Sequence, residues 1–162
     1  MTPGSARNSW VIVLTFVLAL VLTMMPLPYA LELVRPEWVA LCLIYWCLAL
    51  PERIGITLGW LMGLLLDVAR GAVLGQHALA LTIIAFLTVR LHRRIRLFPV
   101  WQQAASVLML VLLGQMVALW IRGAVGQPSG GWLTWLPALS SMLAWPIIYY
   151  FLRHLRRAFQ VK

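Results

Sequence analysis

Acidic residues are scarce in this chain: Asp and Glu together number 4 in 162 residues. General acid–base catalysis needs positioned titratable groups. Glu32, Glu37 and Glu52 fall at predicted helix ends or loops, which leaves Asp67 as the one acid inside an apolar run. Histidine is equally sparse. His77, His92 and His154 belong to different segments, and none has Glu or Cys at metal-ligand spacing. Cys42 and Cys47 lie five apart in one apolar run, about 140° from each other on a helix, and cannot bridge. Buried free thiols are expected. No phosphate-cradling glycine loop, nucleophile elbow or Cys/His pair is present. These absences predict no catalytic residue, no metal site and no cofactor, so an integral membrane enzyme is disfavoured.

Charged residues make up only 10% of the chain, whereas 63% is hydrophobic and the mean hydropathy is +0.92, outside the range of water-soluble domains. An all-α integral membrane protein follows. Lys and Arg number 13, for a formal charge of +9. They sit between apolar runs, so membrane topology accounts for them better than nucleic-acid binding. A spanning helix needs roughly 17 to 25 mostly apolar residues. Proline, glycine and charge clusters divide the chain into six such runs, over residues 9–25, 36–50, 54–69, 75–91, 100–121 and 132–152. One six-helix transmembrane domain over 1–162 is expected, with no soluble domain. The first run follows Arg7 and resembles a signal peptide, but an uncleaved helix is expected because further spans follow it.

Basic residues in short loops collect on the cytoplasmic side. With both termini inside, that side receives Arg7, Arg53, Arg90, Arg93, Arg94, Arg96, Arg153, Arg156, Arg157 and Lys162. Arg35, Arg70 and Arg122 remain outside. The dense clusters RLHRRIR and RHLRR would then meet anionic lipids or acidic partner segments. Interfacial anchoring is expected of Trp10, Trp38, Trp101, Trp120, Trp132 and Trp135, and core packing of Trp46, Trp60 and Trp145.

The stretch GITLGWLMGLLLDVARGAVLG, residues 55–75, places Gly55, Gly59, Gly63, Asp67, Gly71 and Gly75 four apart. Small residues at this spacing let helix backbones approach closely. Gly55, Gly59 and Gly63 share one broad groove, used for packing within the chain or for docking a partner's helix. Gly71 and Gly75 form the following turn. An acid in a span needs a partner. Asp67 is expected in a polar cluster at the outer helix ends with Arg70, Gln76, His77 and Arg35, and Arg122 at similar depth. Its hydrogen bonds should matter more than its charge, so that Asp67→Asn is tolerated better than Asp67→Leu. Gln115 is a second candidate for interhelical bonding.

RPEWVALCLIYWCLALPERIG over 35–55, GLLLDVARGAVLGQHAL over 63–79, the basic loop RLHRRIRLFPVWQQ and the terminal RHLRR together resemble the MreD family of rod shape-determining membrane proteins. The resemblance implies a bacterial inner-membrane component of the elongation machinery that regulates lateral peptidoglycan synthesis and cell shape. It implies binding to the bitopic protein MreC and, directly or through it, links to MreB filaments and to the RodA glycosyltransferase with its transpeptidase. It also implies a fold similar to the substrate-binding subunits of energy-coupling-factor transporters. A vitamin-binding transporter subunit is the alternative function. Such subunits commonly carry an Ala-xxx-Ala docking motif in the first helix, which SWVIVLTFVLALVLTMM lacks.

Overall fold

The computed structural model describes residues 8–128 and 130–161. Arg7 and Lys162, which enter the charge asymmetry, lie outside the described residues. The helices are α1 (Ser9–Met24), α2 (Tyr29–Leu33), α3 (Trp38–Ala49), α4 (Ile56–Arg70), α5 (Gln76–Leu97), α6 (Val100–Val125) and α7 (Leu136–Ala158), with a 3₁₀ turn at Gly131–Trp135. All but α2 correspond to the six apolar runs. The short α2, between Pro28 and Arg35, replaces an expected loop. α5 continues beyond residue 91 through the basic segment, because Arg and Leu are good helix formers, and stops before Pro99. α6 runs on to Gly126, which ends it in the left-handed region at φ 80°.

α3 is the axis of the bundle. All its residues from Val39 to Ala49 are buried, and α1, α5 and α7 enclose it. A helix apolar on every side belongs in such a position. Its 12 residues reach only roughly 18 Å, well short of a hydrocarbon core of about 30 Å. Both of its ends therefore lie within the protein, and their free backbone groups need protein partners. At the C-terminal end Arg96 of α5 supplies two donors, Nη2 to the Ala49 carbonyl at 2.9 Å and Nε to the Leu48 carbonyl. At the N-terminal end the Glu37 amide donates to Ser141 Oγ of α7 at 2.9 Å. Trp46 Nε1 donates to Thr15 Oγ1 at 2.9 Å, fastening α3 to α1.

The outer surface carries an apolar belt too extensive for water: Val13, Leu14 and Val17 on α1, Leu61, Leu65 and Val68 on α4, and Leu143 and Ile147 on α7 are all exposed. Among the described residues, the helices Val100–Val125 and Gly131–Ala158 are long and apolar enough to cross a membrane, and Ser9–Met24 is a shorter apolar helix. Trp46 and Trp145 are buried, but Trp60 is 42% exposed and joins the belt, not the core. Cys42 and Cys47 are buried and unbridged.

α4 and α5 form the tightest pair. A Cβ on Gly59 would stand 3.0 Å from both Ala85 Cβ and the Leu81 carbonyl oxygen, and one on Gly63 would fall on the Ala78 backbone, 2.6 Å from the His77 carbonyl oxygen. α5 therefore fills the groove at these two positions. Gly55 is looser, its nearest neighbour Val89 Cγ2 lying at 3.9 Å. Gly63→Ala should cost about 1–3 kcal/mol by forcing the backbones apart, whereas Gly55→Ala should change stability by no more than about 0.5 kcal/mol. Thermal unfolding of both variants in one detergent measures the contrast.

Candidate functional site

Asp67 is fully buried at the last turn of α4. Chain reversal to α5 uses Gly71 at φ 63° and Gly75 at φ 100°, a conformation favoured by glycine. Gly75 sits at the N-cap of α5 and has no side chain to satisfy the first-turn amides. Asp67 does so from the neighbouring helix. Its Oδ2 accepts from Gly75 N at 2.9 Å and Ala78 N at 3.3 Å, and its Oδ1 from His77 N at 2.8 Å and His77 Nδ1 at 2.7 Å. The negative carboxylate also lies at the positive end of the α5 dipole. His77 Nε2 faces Arg70 Nη1 at 3.3 Å. Because a guanidinium only donates, Nε2 is the acceptor and Nδ1–H the donor to Asp67. Arg70 Nη2 lies 3.9 Å from Glu37 Oε2, so the polar chain runs Asp67, His77, Arg70, Glu37 and reaches the start of α3.

The structure thus groups Asp67, His77 and Arg70, while Gln76 and Arg35 do not bond to Asp67. The Gln76 side chain is 1% exposed and both its amide atoms lack partners. Arg35 belongs to a separate knot. Its guanidinium donates to the carbonyls of Thr23 and Met25 and to Glu32 Oε2, the last at 2.7 Å, tying the end of α1 to α2. Arg70, His77, Gln76 and Arg35 line a cleft of about 950 Å³, as do Ile84, Val111 and Gln115. Gln115 Oε1 is buried without a partner. Arg122 lines the same cleft and forms no ion pair among the described residues. No set of three or more His, Cys, Asp and Glu positioned to hold a metal occurs among the described residues.

At the other end of α5 lie the basic clusters. Arg93 and Arg94 are exposed. Arg90 stands 6.0 Å over the Phe86 ring and Arg153 6.0 Å over Tyr149. Arg96, Arg153, Arg156 and Arg157 line a second cleft of about 710 Å³ together with Tyr45 and Gln103. Sequence reasoning gave no role to Tyr45, Gln103 or Glu37. The signal for Gln103 was its place one helical turn past Pro99 beside the arginine run. Tyr45 and Glu37 carry no local signal, since only the packing of α3 brings them to these sites.

The geometry revises the expected tolerance of Asp67→Asn. Both carboxylate oxygens accept two bonds, so an Asn would turn an amide N–H₂ toward N–H donors. Asp67→Asn should destabilise by about 1–3 kcal/mol for each donor left unpaired, approaching Asp67→Leu, while His77→Ala, which spares the backbone bonds, should cost less than either. Thermal unfolding in detergent should rank the three variants in that order.

A model of the rod shape-determining protein MreD matches residues 5–155. The Rod shape-determining protein MreD of Haemophilus influenzae is 30% identical over 149 residues, covering 91% of this chain and 92% of that protein. No solved structure matches the chain, so the likeness to transporter substrate-binding subunits has no support from a solved fold. The agreement extends from α1 nearly to the end of α7, through the Asp67 turn and the basic segment of α5, and on it the chain belongs to the MreD family of rod shape-determining membrane proteins.

Proposed function

We propose that this protein is a non-enzymatic inner-membrane component of the cell-elongation complex, docking the single helix of MreC and thereby influencing lateral peptidoglycan synthesis. MreB filaments and the RodA glycosyltransferase with its transpeptidase are reached directly or through MreC. The family match over residues 5–155 carries this reading; the family is one of shape-determining proteins, not enzymes. A groove of about 630 Å³ between α1 and α4 supports the docking role. Leu20, Val21, Met24, Leu65, Val68 and Ala69 line it, and these two helices touch only slightly. In lipid, helices associate by packing, and an open apolar groove between two helices suits one more helix. Gly59 and Gly63 face the opposite way, into α5.

Six crossings with both termini cytoplasmic fit the position of the basic clusters. The short α3 is no obstacle, because it is enclosed by other helices and does not itself meet lipid. A reporter active only in the cytoplasm should work when fused at the C-terminus and fail when inserted at Gln127; the reverse pattern would overturn the orientation. Arg93→Glu with Arg94→Glu should lower insertion or assembly, and either change alone should be tolerated.

One observation favours the alternative of a small-molecule-binding transporter subunit, the cleft holding the unpaired Gln76 amide. Copurification separates the two. Leu65→Trp with Val68→Trp fills the α1–α4 groove while keeping it apolar, so recovery of MreC should fall about tenfold, the loss of roughly 1.4 kcal/mol of packing, with thermal stability unchanged. Undiminished recovery of MreC would rule out this groove as the docking face.

A further inference from the structure

The cleft at the arginine end has a chemistry that the docking role leaves unused. Arg96, Arg153, Arg156 and Arg157 line it and no Asp or Glu does. None of the four guanidiniums has an acidic partner among the described residues. Several are nevertheless held in place. Arg96 is fixed on the α3 carbonyls, Arg153 over the Tyr149 ring, and Arg156 by Nε to the Val161 carbonyl at 3.4 Å. Ordered guanidiniums without a counter-charge match a phosphate, whose oxygens take their planar donor forks. Basic pockets between membrane helices on the cytoplasmic side are suited to anionic lipid headgroups.

Gln103 narrows the choice. It is 3% exposed, and its Nε2 donates to the carbonyls of Ile95 at 3.2 Å and Phe98 at 3.3 Å. Those two bonds fix the amide, and its Oε1 is left buried without a partner. A phosphodiester by itself offers this acceptor nothing, since it carries no proton to donate. A hydroxyl carried by the headgroup would satisfy it. Leu97, Phe98 and Phe159 are exposed at this end of the bundle, where acyl chains would lie.

We infer that the cleft binds a glycerol-phosphate lipid headgroup, its phosphodiester on Arg153, Arg156 and Arg157 and a headgroup hydroxyl donating to Gln103 Oε1. This site is independent of the MreC groove, and binding to protein in nanodiscs does not depend on orientation in the cell, so failure here leaves the docking and topology readings untouched.

The test is lipid retention by the full chain, read by native mass spectrometry. Phosphatidylglycerol is compared with phosphatidylmethanol, which has the same phosphodiester charge but no headgroup hydroxyl, and with neutral phosphatidylcholine. Phosphatidylglycerol should be retained about fivefold more tightly than phosphatidylmethanol, the worth of one net hydrogen bond. Gln103→Met should abolish that difference. Arg153→Gln with Arg156→Gln should weaken phosphatidylglycerol roughly twentyfold. Equal retention of phosphatidylglycerol and phosphatidylmethanol by the unaltered protein would overturn the role of Gln103, whatever the stability of the variants. Equal retention of phosphatidylcholine would overturn the site. Soluble glycerophosphoglycerol competing at the lipid's own concentration would overturn the assignment to a lipid, and preferential capture of a polyglutamate peptide would assign the cleft to an acidic protein segment.

Discussion

Backbone polar groups cut off from water must find partners within the protein, and α3 is where this constraint shapes the whole bundle. A helix buried on all sides cannot draw on solvent at either end. Its last carbonyls are met by Arg96, which has to be delivered from α5 at the right height, and its first turn is tied to Ser141 of α7. The length of α5 follows from this. Had the helix stopped at residue 91, as its hydropathy suggested, Arg96 would not lie beneath Ala49. The basic segment is therefore part of the fold as well as a charge at the membrane surface.

The α4–α5 hairpin solves the same problem differently. Glycines at 59 and 63 bring the two backbones close. That closeness places Asp67 directly against the first turn of α5, whose own N-cap residue, Gly75, cannot cap it. One carboxylate then satisfies three amides and an imidazole. The regular spacing of four joins two requirements, close approach along the helix and an acceptor where the approach ends. Glycine at 71 and 75 serves a third, the left-handed backbone of the reversal.

Much of this was legible in the residues. Six apolar runs gave six of the seven helices, and the glycine spacing with Asp67 at its end gave the hairpin. Other features depended on tertiary position. That Trp60 faces outward while Trp46 is buried cannot be read from hydropathy, because both lie in apolar runs and only the packing partners decide. Gln76 was expected to bond to Asp67 from its nearness in sequence. Its backbone lies in the first turn that Asp67 caps, but its side chain points into a cleft and the neighbouring amides take the carboxylate. Glu37 reaches Arg70 only because α3 stands beside α4 and α5, a contact across more than thirty residues of sequence.

The charges divide unequally between the two ends of the bundle. Glu32, Glu37 and Asp67 stand near Arg35, Arg70 and Arg122, so that end is balanced and most of its charges are paired inside the protein. At the opposite end Glu52 is the single acid among Arg53, Arg90, Arg93, Arg94, Arg96, Arg153, Arg156 and Arg157. Guanidinium groups stay protonated at any physiological pH, so this excess is permanent and cannot be relieved by titration. Salt and lipid phosphates weaken the mutual repulsion among them, beyond what the single Glu52 can offset. This asymmetry separates an end whose charges are mostly paired within the protein from one that carries a large excess of positive charge.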